Sequence, residues 1–250
     1  RISVTDLAEF CCRRGDLNLG LERTPSAQDG QRGQRLLQSG KPAHYQKEVS
    51  VSCEFGSEHF QCILSGRIDG LLPLLAPILD TQNTAEKNHT DAPPALTQIE
   101  EIKTTYCTQA KLPASQQAVH LAQLKLYGAL YLQQHPDESA LELQLNYCNL
   151  EDESRFGFHS ISTRAELENF FTDCIHKYSD WLNLHCQHLN RRDEFLHTLA
   201  FPFRQFRPGQ RALSVQVYRD LRDQTPALYQ AATGLGKTAG RGSKGQNARS

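Results

Sequence analysis

The amino-acid sequence predicts an α/β protein in which a mixed central β-sheet is flanked by helices. Two observations support this prediction. Segments with the preferences of strands alternate with amphipathic segments, in the order helix, β-hairpin, strand, helix, strand, strand, helix. The chain also has 250 residues, 38% of them hydrophobic, so it can bury a core that holds a sheet and helices together.

The predicted elements begin with a short helix over residues 3–14, where Leu7, Phe10 and Cys11 recur at helical spacing. A polar, glycine-rich stretch follows. Residues 47–55 and 59–69 then favour strands, and the Gly-Ser-Glu segment between them is a natural turn. These two strands are expected to form a β-hairpin.

The middle of the chain continues the alternation. Residues 81–95 are polar with two prolines and predict an exposed loop, whereas the apolar periodicity of 115–134 predicts a helix. The remaining expected elements are strands at 99–105, 141–150 and 156–161 and a long helix from 164 to about 199.

The last 50 residues have a different character. A helix is expected to open at Arg207-Pro208-Gly209-Gln210 and to run to about Asp223, followed by a short strand at 227–231 that leads into a glycine-rich turn. The chain begins at Arg1 and contains no Met, so we expect a fragment of a longer protein. Residues 241–250 have the composition of a flexible or non-native tail.

Composition narrows the possible functions. The net charge of −1 argues against a broadly basic nucleic-acid binder, so any such site must be local. The eight cysteines form no C-x-x-C pair and none of the close spacings of zinc sites, which favours buried free thiols in a reducing compartment. No stretch has the apolar length to span a membrane or the order of a signal peptide. We therefore expect a cytoplasmic protein without a membrane partner.

Charged residues in the centre of the chain suggest phosphodiester chemistry. Asp69 lies at the expected end of a strand in the motif G-R-I-D-G, and Glu101 and Lys103 lie in I-E-E-I-K-T-T. Because side chains alternate along a strand, Glu101 and Lys103 share a face while Glu100 points away. Asp69, Glu101 and the carbonyl of Ile102 are hard oxygen ligands suited to Mg²⁺ or Mn²⁺.

Lys103 would complete such a catalytic set. Its amine could position the attacking water or stabilise developing charge. The alternative is an ordinary surface salt bridge between Glu101 and Lys103 on a half-exposed strand.

Together with the Q-x-x-x-Y motif at Gln123 and Tyr127, these motifs resemble the RecB-type branch of the PD-(D/E)xK nucleases. The resemblance implies a restriction-endonuclease-like core and a site at which Gln123 and Tyr127 lie beside the metal and help hold a DNA strand. Residues four apart on a helix do share a face. The alternative is that Gln123 belongs to a polar helix edge and that Tyr127 packs in the core.

The chain departs from this family at one ligand. RecB-type nucleases carry a metal-binding His in a pattern like G-x-x-x-H, whereas the corresponding residue here is Gln34, a weaker and neutral ligand. His44 fits the spacing from Gly40, but Pro42 argues against the helix that the motif needs. The same resemblance predicts no iron-sulfur cluster, because the closely spaced cysteines that hold one are absent.

Two further residues are open alternatives near this site. His120 precedes Gln123 by three residues and could approach the site, or it could face solvent or pack. Glu48 could be an accessory acid, or one of the charges that strand edges often carry.

A second motif near the C-terminus predicts phosphate binding. The segment A-A-T-G-L-G-K-T from residue 231 fits the Walker A pattern, in which Gly234, Gly236, Lys237 and Thr238 would bind ATP. It follows an R-x-x-Q motif ending at Gln210, and the pair resembles the entry to superfamily 2 helicases of the XPD/DinG type. That resemblance implies that Gln210 reads the adenine edge. A helix N-terminal region is the alternative.

These motifs predict three segments: a nuclease domain at 1–198, the start of a helicase motor at 199–240, and the tail. The motor lacks its Asp-Glu motif, arginine finger and second domain, so ATP is expected as a cofactor of the longer protein and no ATPase activity is expected from this chain. The leading function is Mg²⁺- or Mn²⁺-dependent DNA hydrolysis on single strands or ends, in DNA repair or processing. The alternatives are a non-catalytic DNA-binding module that presents substrate to the motor, or hydrolysis of RNA or another phosphodiester.

Overall fold

The structure, a computed structural model, describes residues 1–14, 24–73, 96–198, 204–232 and 234–235, with the side chains of residues 196 and 197 left out. The chain divides into two compact units, Arg1–Trp181 and Leu182–Ser250. The first unit is α/β, with a mixed central sheet flanked by helices, so the predicted fold class is confirmed at that level.

The sheet contains six strands in the described residues, and β3 is its branching point. β3 pairs with β1 in parallel and with β2 and β4 antiparallel, whereas β5 runs parallel to β4 and antiparallel to β6. The strands are β1 (Ile2–Ser3), β2 (Gln46–Gly56), β3 (Gln61–Leu72), β4 (Gln98–Thr105), β5 (Ala140–Asn149) and β6 (Arg155–Thr163).

The helices of the first unit cover the sheet with their apolar residues. The main core gathers residues from α1, α3, α4 and the strands, and α3 contributes its largest share. A smaller cluster holds α2 against β4 and β5. The helices are α1 (Val4–Cys12), α2 (Ala27–Gln38), α3 (Ala114–Gln134), α4 (Arg164–Thr198) and α5 (Gln210–Arg222), with a 3-10 turn at Gln109–Lys111.

Most expected elements are present within a few residues of their predicted bounds. Helix α2 is the main addition: the polar stretch conceals a helix that begins at Ser26, whose side chain forms a reciprocal capping box with Asp29. Two glycines and a scarcity of apolar residues hide its periodicity. Conversely, the strand expected at 227–231 is wrong, since these residues have no regular structure.

Two further expectations concern the cysteines and a possible membrane-spanning helix. All eight cysteines are free, but only Cys62, Cys148 and Cys174 are buried and the other five are half-buried, so the expectation of buried thiols holds for three. No helix in the described part of the chain is long and apolar enough to cross a membrane. The loop expected at 81–95 and the tail at 241–250 lie outside the described residues.

Candidate active site

The site lies where the ladder between β3 and β4 ends. This ladder pairs Gly70–Leu72 with Gln98–Glu100. Just beyond it, Oδ2 of Asp69 accepts a hydrogen bond of 2.8 Å from the backbone N–H of Ile102. A carboxylate therefore takes the place that a strand carbonyl would occupy. This contact fixes Asp69 beside the strand that carries Glu101 and Lys103.

A break in side-chain alternation orients Asp69. Ile68 and Leu71 both belong to the main core although they are three residues apart, whereas a regular strand would turn them to opposite faces. The register of β2 with β3 skips the opposing residue, Glu48, whose φ is 54°. Such irregularities re-aim side chains locally. The strand does not end at Asp69 as expected but continues to Leu72, because β4 supplies further pairing.

Glu101 and Lys103 form the centre of the site. The Lys103 Nζ lies 2.7 Å from Oε1 of Glu101 and donates a hydrogen bond of 2.9 Å to Oε1 of Gln123. The two side chains share a face, as the strand periodicity predicts. The side chain of Glu101 is only 3% exposed and that of Lys103 22%, so this is not the surface salt bridge of the alternative interpretation.

One oxygen of Glu101 has no partner. Oε2 is buried and accepts no hydrogen bond from any described residue. Leaving a buried carboxylate oxygen unpaired is unfavourable, and native proteins avoid it unless a water, an ion or a catalytic role explains it. Burial raises the pKa of Glu101 to about 7, with Lys103 opposing the rise and Asp69 adding to it.

Asp69 responds to the same surroundings. Burial raises its pKa, and the hydrogen bond from the Ile102 amide and the charge of Lys103 act against that rise. Two neighbouring acids with raised pKa values are an arrangement that a bound cation would stabilise, because its charge favours the ionised form of both.

The donor set fits a hard divalent cation. Asp69 and Glu101 are the carboxylates, and the unpaired Glu101 oxygen is directed to no other described group. Within the described ranges, His, Cys, Asp and Glu side chains form no group of three or more that could hold a metal. The remaining ligands would thus be amide or backbone oxygens and water. Mg²⁺ is commonly bound in this way, through one or two carboxylates and several waters.

Helix α2 brings Gln34 to this site. The Gln34 Nε2 lies 3.3 Å from Oδ1 of Asp69, and Gln38 donates to the Asp69 backbone carbonyl at 2.9 Å. This approach depends on Gly33, where an added Cβ would lie 2.0 Å from Cγ2 of Thr104 on β4. Gln34 therefore lies where the motif comparison expected a metal ligand.

The other candidate in the motif comparison, His44, is exposed and outside any helix. Glu48 lies near enough to Asp69 to help raise its pKa, and its carboxylate forms a 2.8 Å ion pair with the exposed Arg67.

Helix α3 contributes Gln123 and Tyr127. Gln123 joins Lys103 to Tyr127, whose hydroxyl lies 3.4 Å from the Gln123 Nε2. Both side chains are buried, and burial raises the pKa of Tyr127 to about 12. The ring fits because residue 66 is glycine, where an added Cβ would lie 2.7 Å from the Tyr127 ring. The structure thus places both residues beside Lys103, and a DNA contact by either stays a prediction.

His120 also lies beside the site. Its Nδ1 is 2.7 Å from the hydroxyl of Tyr147, a residue that pairs directly with Lys103 in the parallel ladder of β4 and β5. Burial and the charge of Lys103 together lower the pKa of His120 to about 3. Of the alternatives that the sequence left open, the structure shows a packed histidine, whose ring lies against Tyr147 on β5.

The opposite face of β4 holds a different kind of acid. Glu100, 1% exposed at its side chain, is surrounded by donors: Lys41 Nζ at 2.9 Å, the Tyr45 hydroxyl at 2.5 Å and Asn146 Nδ2 at 2.5 Å. A cavity of about 410 Å³ opens next to this network. Both Glu100 oxygens are hydrogen-bonded, so nothing in this network calls for a cation.

The predicted nucleotide-binding residues are only partly described. Gln210 is buried at the start of α5, directly after the N-cap Gly209, and its Oε1 accepts a hydrogen bond of 3.0 Å from the Arg207 N–H. Gly234 has a φ of 81°, and its carbonyl accepts from Arg207. Gly236, Lys237 and Thr238 lie outside the described residues. The strand expected before the phosphate loop is absent from the described residues, since residues 227–232 have no regular structure.

Comparison with known proteins gives no family assignment. No protein-family model matches the chain. No curated protein matches it either. Among solved structures, the crystal structure of SSO0001 is similar, with a TM-score of 0.39 and 17% sequence identity over 70% of this chain and 75% of that chain.

Proposed function

We propose that residues 1–198 form a metal-dependent nuclease domain that hydrolyses phosphodiester bonds. The observation that carries this proposal is the buried, unpaired Oε2 of Glu101, next to Asp69 and Lys103. A salt bridge with only a structural role does not require a carboxylate oxygen without a hydrogen-bond partner, whereas a metal ligand does.

The residues would divide the work as follows. Asp69 and Glu101, with the Ile102 carbonyl, would hold Mg²⁺ or Mn²⁺. When bound, such a cation offsets phosphate charge and lowers the pKa of a coordinated water. Lys103 would donate a hydrogen bond to the attacking water or to the developing negative charge. Gln123 would position Lys103, because its Oε1 accepts from the amine that Glu101 also holds.

We infer DNA as the substrate, single-stranded or with free ends, from the motifs that resemble RecB-type nucleases. The helicase-like segment supports this choice, since a motor that separates strands would supply single strands to the nuclease. ATP would serve that motor in a longer protein, with Gln210 and the loop from Gly234 to Thr238 as its contacts. The segment 199–240 would then be the start of that motor.

A non-catalytic DNA-binding module is the second candidate. Gln34 favours it, because its amide nitrogen donates to the Asp69 oxygen that a cation would otherwise use. A rotation of the amide by 180° would present Oε1 instead, so this contact by itself does not decide between the two functions.

The deciding experiment measures cleavage of end-labelled single- and double-stranded DNA in Mg²⁺, Mn²⁺ or EDTA. We expect divalent-dependent cleavage that is lost in Asp69→Ala and Lys103→Ala. Asp173→Asn and Lys177→Ala are matched controls, since both residues are exposed on α4, and they should cleave like the parent. DNA binding without cleavage in the parent would support the binding module, and neither binding nor cleavage would refute both candidates.

A further inference from the structure

His120 has one ring nitrogen that the fold uses and one that it does not. Nδ1 lies 2.7 Å from the Tyr147 hydroxyl. Nε2 forms no hydrogen bond with a described residue. Among the described residues, Oε2 of Glu101 is the only fully buried side-chain atom without a partner, so Nε2 is not fully buried. Nε2 is therefore accessible to solvent.

The hydroxyl of Tyr147 decides which nitrogen carries the proton. Tyr147 is 1% exposed, and burial raises the pKa of its hydroxyl well above the usual range, so the hydroxyl keeps its proton. Among the described residues, His120 is the hydrogen-bond partner of the Tyr147 hydroxyl. A buried O–H without an acceptor is costly, so Tyr147 donates to Nδ1. Nδ1 is then an acceptor, and the single imidazole proton resides on Nε2.

The ring is also rigidly held. Tyr147 stacks on Phe156 with ring centroids 4.9 Å apart and an interplanar angle of 8°, and its ring lies 5.7 Å from that of His120. His120 precedes Gln123 by one helical turn, on the side of α3 that meets Lys103. An accessible N–H of fixed orientation thus lies near enough to Lys103 for the charge of that amine to act on the ring.

We propose that His120 donates a hydrogen bond from Nε2 to a phosphate oxygen of the bound nucleic acid. This inference rests on the proposed function and adds a substrate contact to it. The neutral imidazole would orient the phosphate through its hydrogen bond, and Lys103 would provide the positive charge that attracts the phosphate. A neutral donor also avoids placing a second cation next to Lys103, which would repel it.

The test uses short fluorescent single-stranded DNA in two forms, one with ordinary phosphates and one with neutral methylphosphonates. Binding is measured by anisotropy in Ca²⁺ to slow cleavage. In His120→Phe, which keeps a flat ring but has no N–H, we expect about tenfold to a hundredfold weaker binding of ordinary DNA, the effect of one lost hydrogen bond to a charged group. Binding of the methylphosphonate, whose remaining oxygen is a neutral and weaker acceptor, should fall much less.

His120→Gln, which restores an N–H donor, should recover at least part of the loss. Tyr147→Phe removes the hydroxyl that fixes the tautomer of His120 but keeps the stacked ring. This variant should lose part of the affinity for ordinary DNA. Thermal unfolding of all variants shows whether they fold.

The outcomes separate the two proposals. If the parent binds and cleaves DNA and His120→Phe binds both probes as the parent does, the His120 contact is wrong and the nuclease stands. Equal weakening for both probes would mean a structural role for His120 and would also overturn the inference. If the parent neither binds nor cleaves, the proposed function itself fails.

Discussion

Glu100 and Glu101 are neighbours in sequence, both are buried, and they lie on opposite faces of β4. Glu100 accepts hydrogen bonds from three side chains, Lys41, Tyr45 and Asn146. Glu101 has Lys103 on one oxygen and no partner among the described residues on the other, and burial raises its pKa to about 7. The described residues therefore provide hydrogen-bond donors for both oxygens of Glu100 but for only one oxygen of Glu101.

This difference separates a structural acid from a candidate functional one. A buried charge whose oxygens are all hydrogen-bonded holds its surroundings in one arrangement, and removing it leaves its partners unsatisfied. A buried charge with an open oxygen reduces stability until a ligand binds it. Substitution of the two residues should therefore affect different properties of the protein.

The largest expected effect is on catalysis. Glu101→Gln keeps the shape of the side chain but removes the ligand charge, so DNA cleavage should fall on the order of a thousandfold, equivalent to several kcal/mol of transition-state stabilisation. Single-turnover assays in Mn²⁺ would measure this. Glu100→Gln should retain most of the cleavage rate, and equal losses in the two variants would abolish the distinction.

The next effect is on stability and concerns Glu100. Glu100→Ala leaves Lys41, Tyr45 and Asn146 without their acceptor, and we expect a loss of about 3 kcal/mol in the free energy of unfolding. Urea denaturation followed by the fluorescence of Trp181 would report it. Glu54→Ala, at an exposed position of β2, is the control and should change stability little. A loss below roughly 0.5 kcal/mol would contradict the structural role, since surface substitutions usually stay within that range.

The third effect is a pH dependence of stability that arises from Glu101 and Asp69 at the candidate site. Its pKa is about 7 in the folded protein and near 4.5 in the unfolded chain, so the folded state binds more protons between these values. The stability contribution of Glu101 is complete below pH 4.5 and is lost as pH rises through 7, by about 3 kcal/mol in EDTA. Asp69, whose pKa is also raised, acts in the same direction.

Comparison of parent and Glu101→Gln isolates the Glu101 contribution. The variant should lose less stability than the parent between pH 5 and pH 8.5, and Mn²⁺ should stabilise the parent but not the variant at pH 8. Denaturation curves at each pH provide the measurement. An identical pH dependence in the two proteins would mean that Glu101 is not the titrating group.

The smallest effect concerns Gln34. Gln34→His replaces a weak neutral ligand next to Asp69 with an imidazole, so Mn²⁺ should bind about threefold to tenfold more tightly in calorimetric titration. Gln31→His, at an exposed position of the same helix, should leave the affinity unchanged. Unchanged affinity in both variants would place Gln34 outside the metal site.

Local sequence patterns predicted most of the secondary structure because periodicity depends on neighbouring residues. Helix α3 and strands β4 to β6 lie within a few residues of their expected bounds. Helix α2 was missed because its stability comes from a capping box and from close packing of Gly33 on Thr104 rather than from an apolar stripe. The strand expected at 227–231 is wrong because strand preference is a weak local signal, and these residues have no regular structure.

The sequence by itself determined that Glu101 and Lys103 share a face and that Glu100 lies on the other, since strand alternation is local. Only the tertiary structure decided that Gln34 reaches Asp69, that the hairpin irregularity at Glu48 re-aims Asp69, and that Oε2 of Glu101 is unpaired. These features depend on contacts between residues distant in the chain. A hydrogen-bond donor for a buried oxygen can come from any element, so its absence becomes known only when every neighbour is in place.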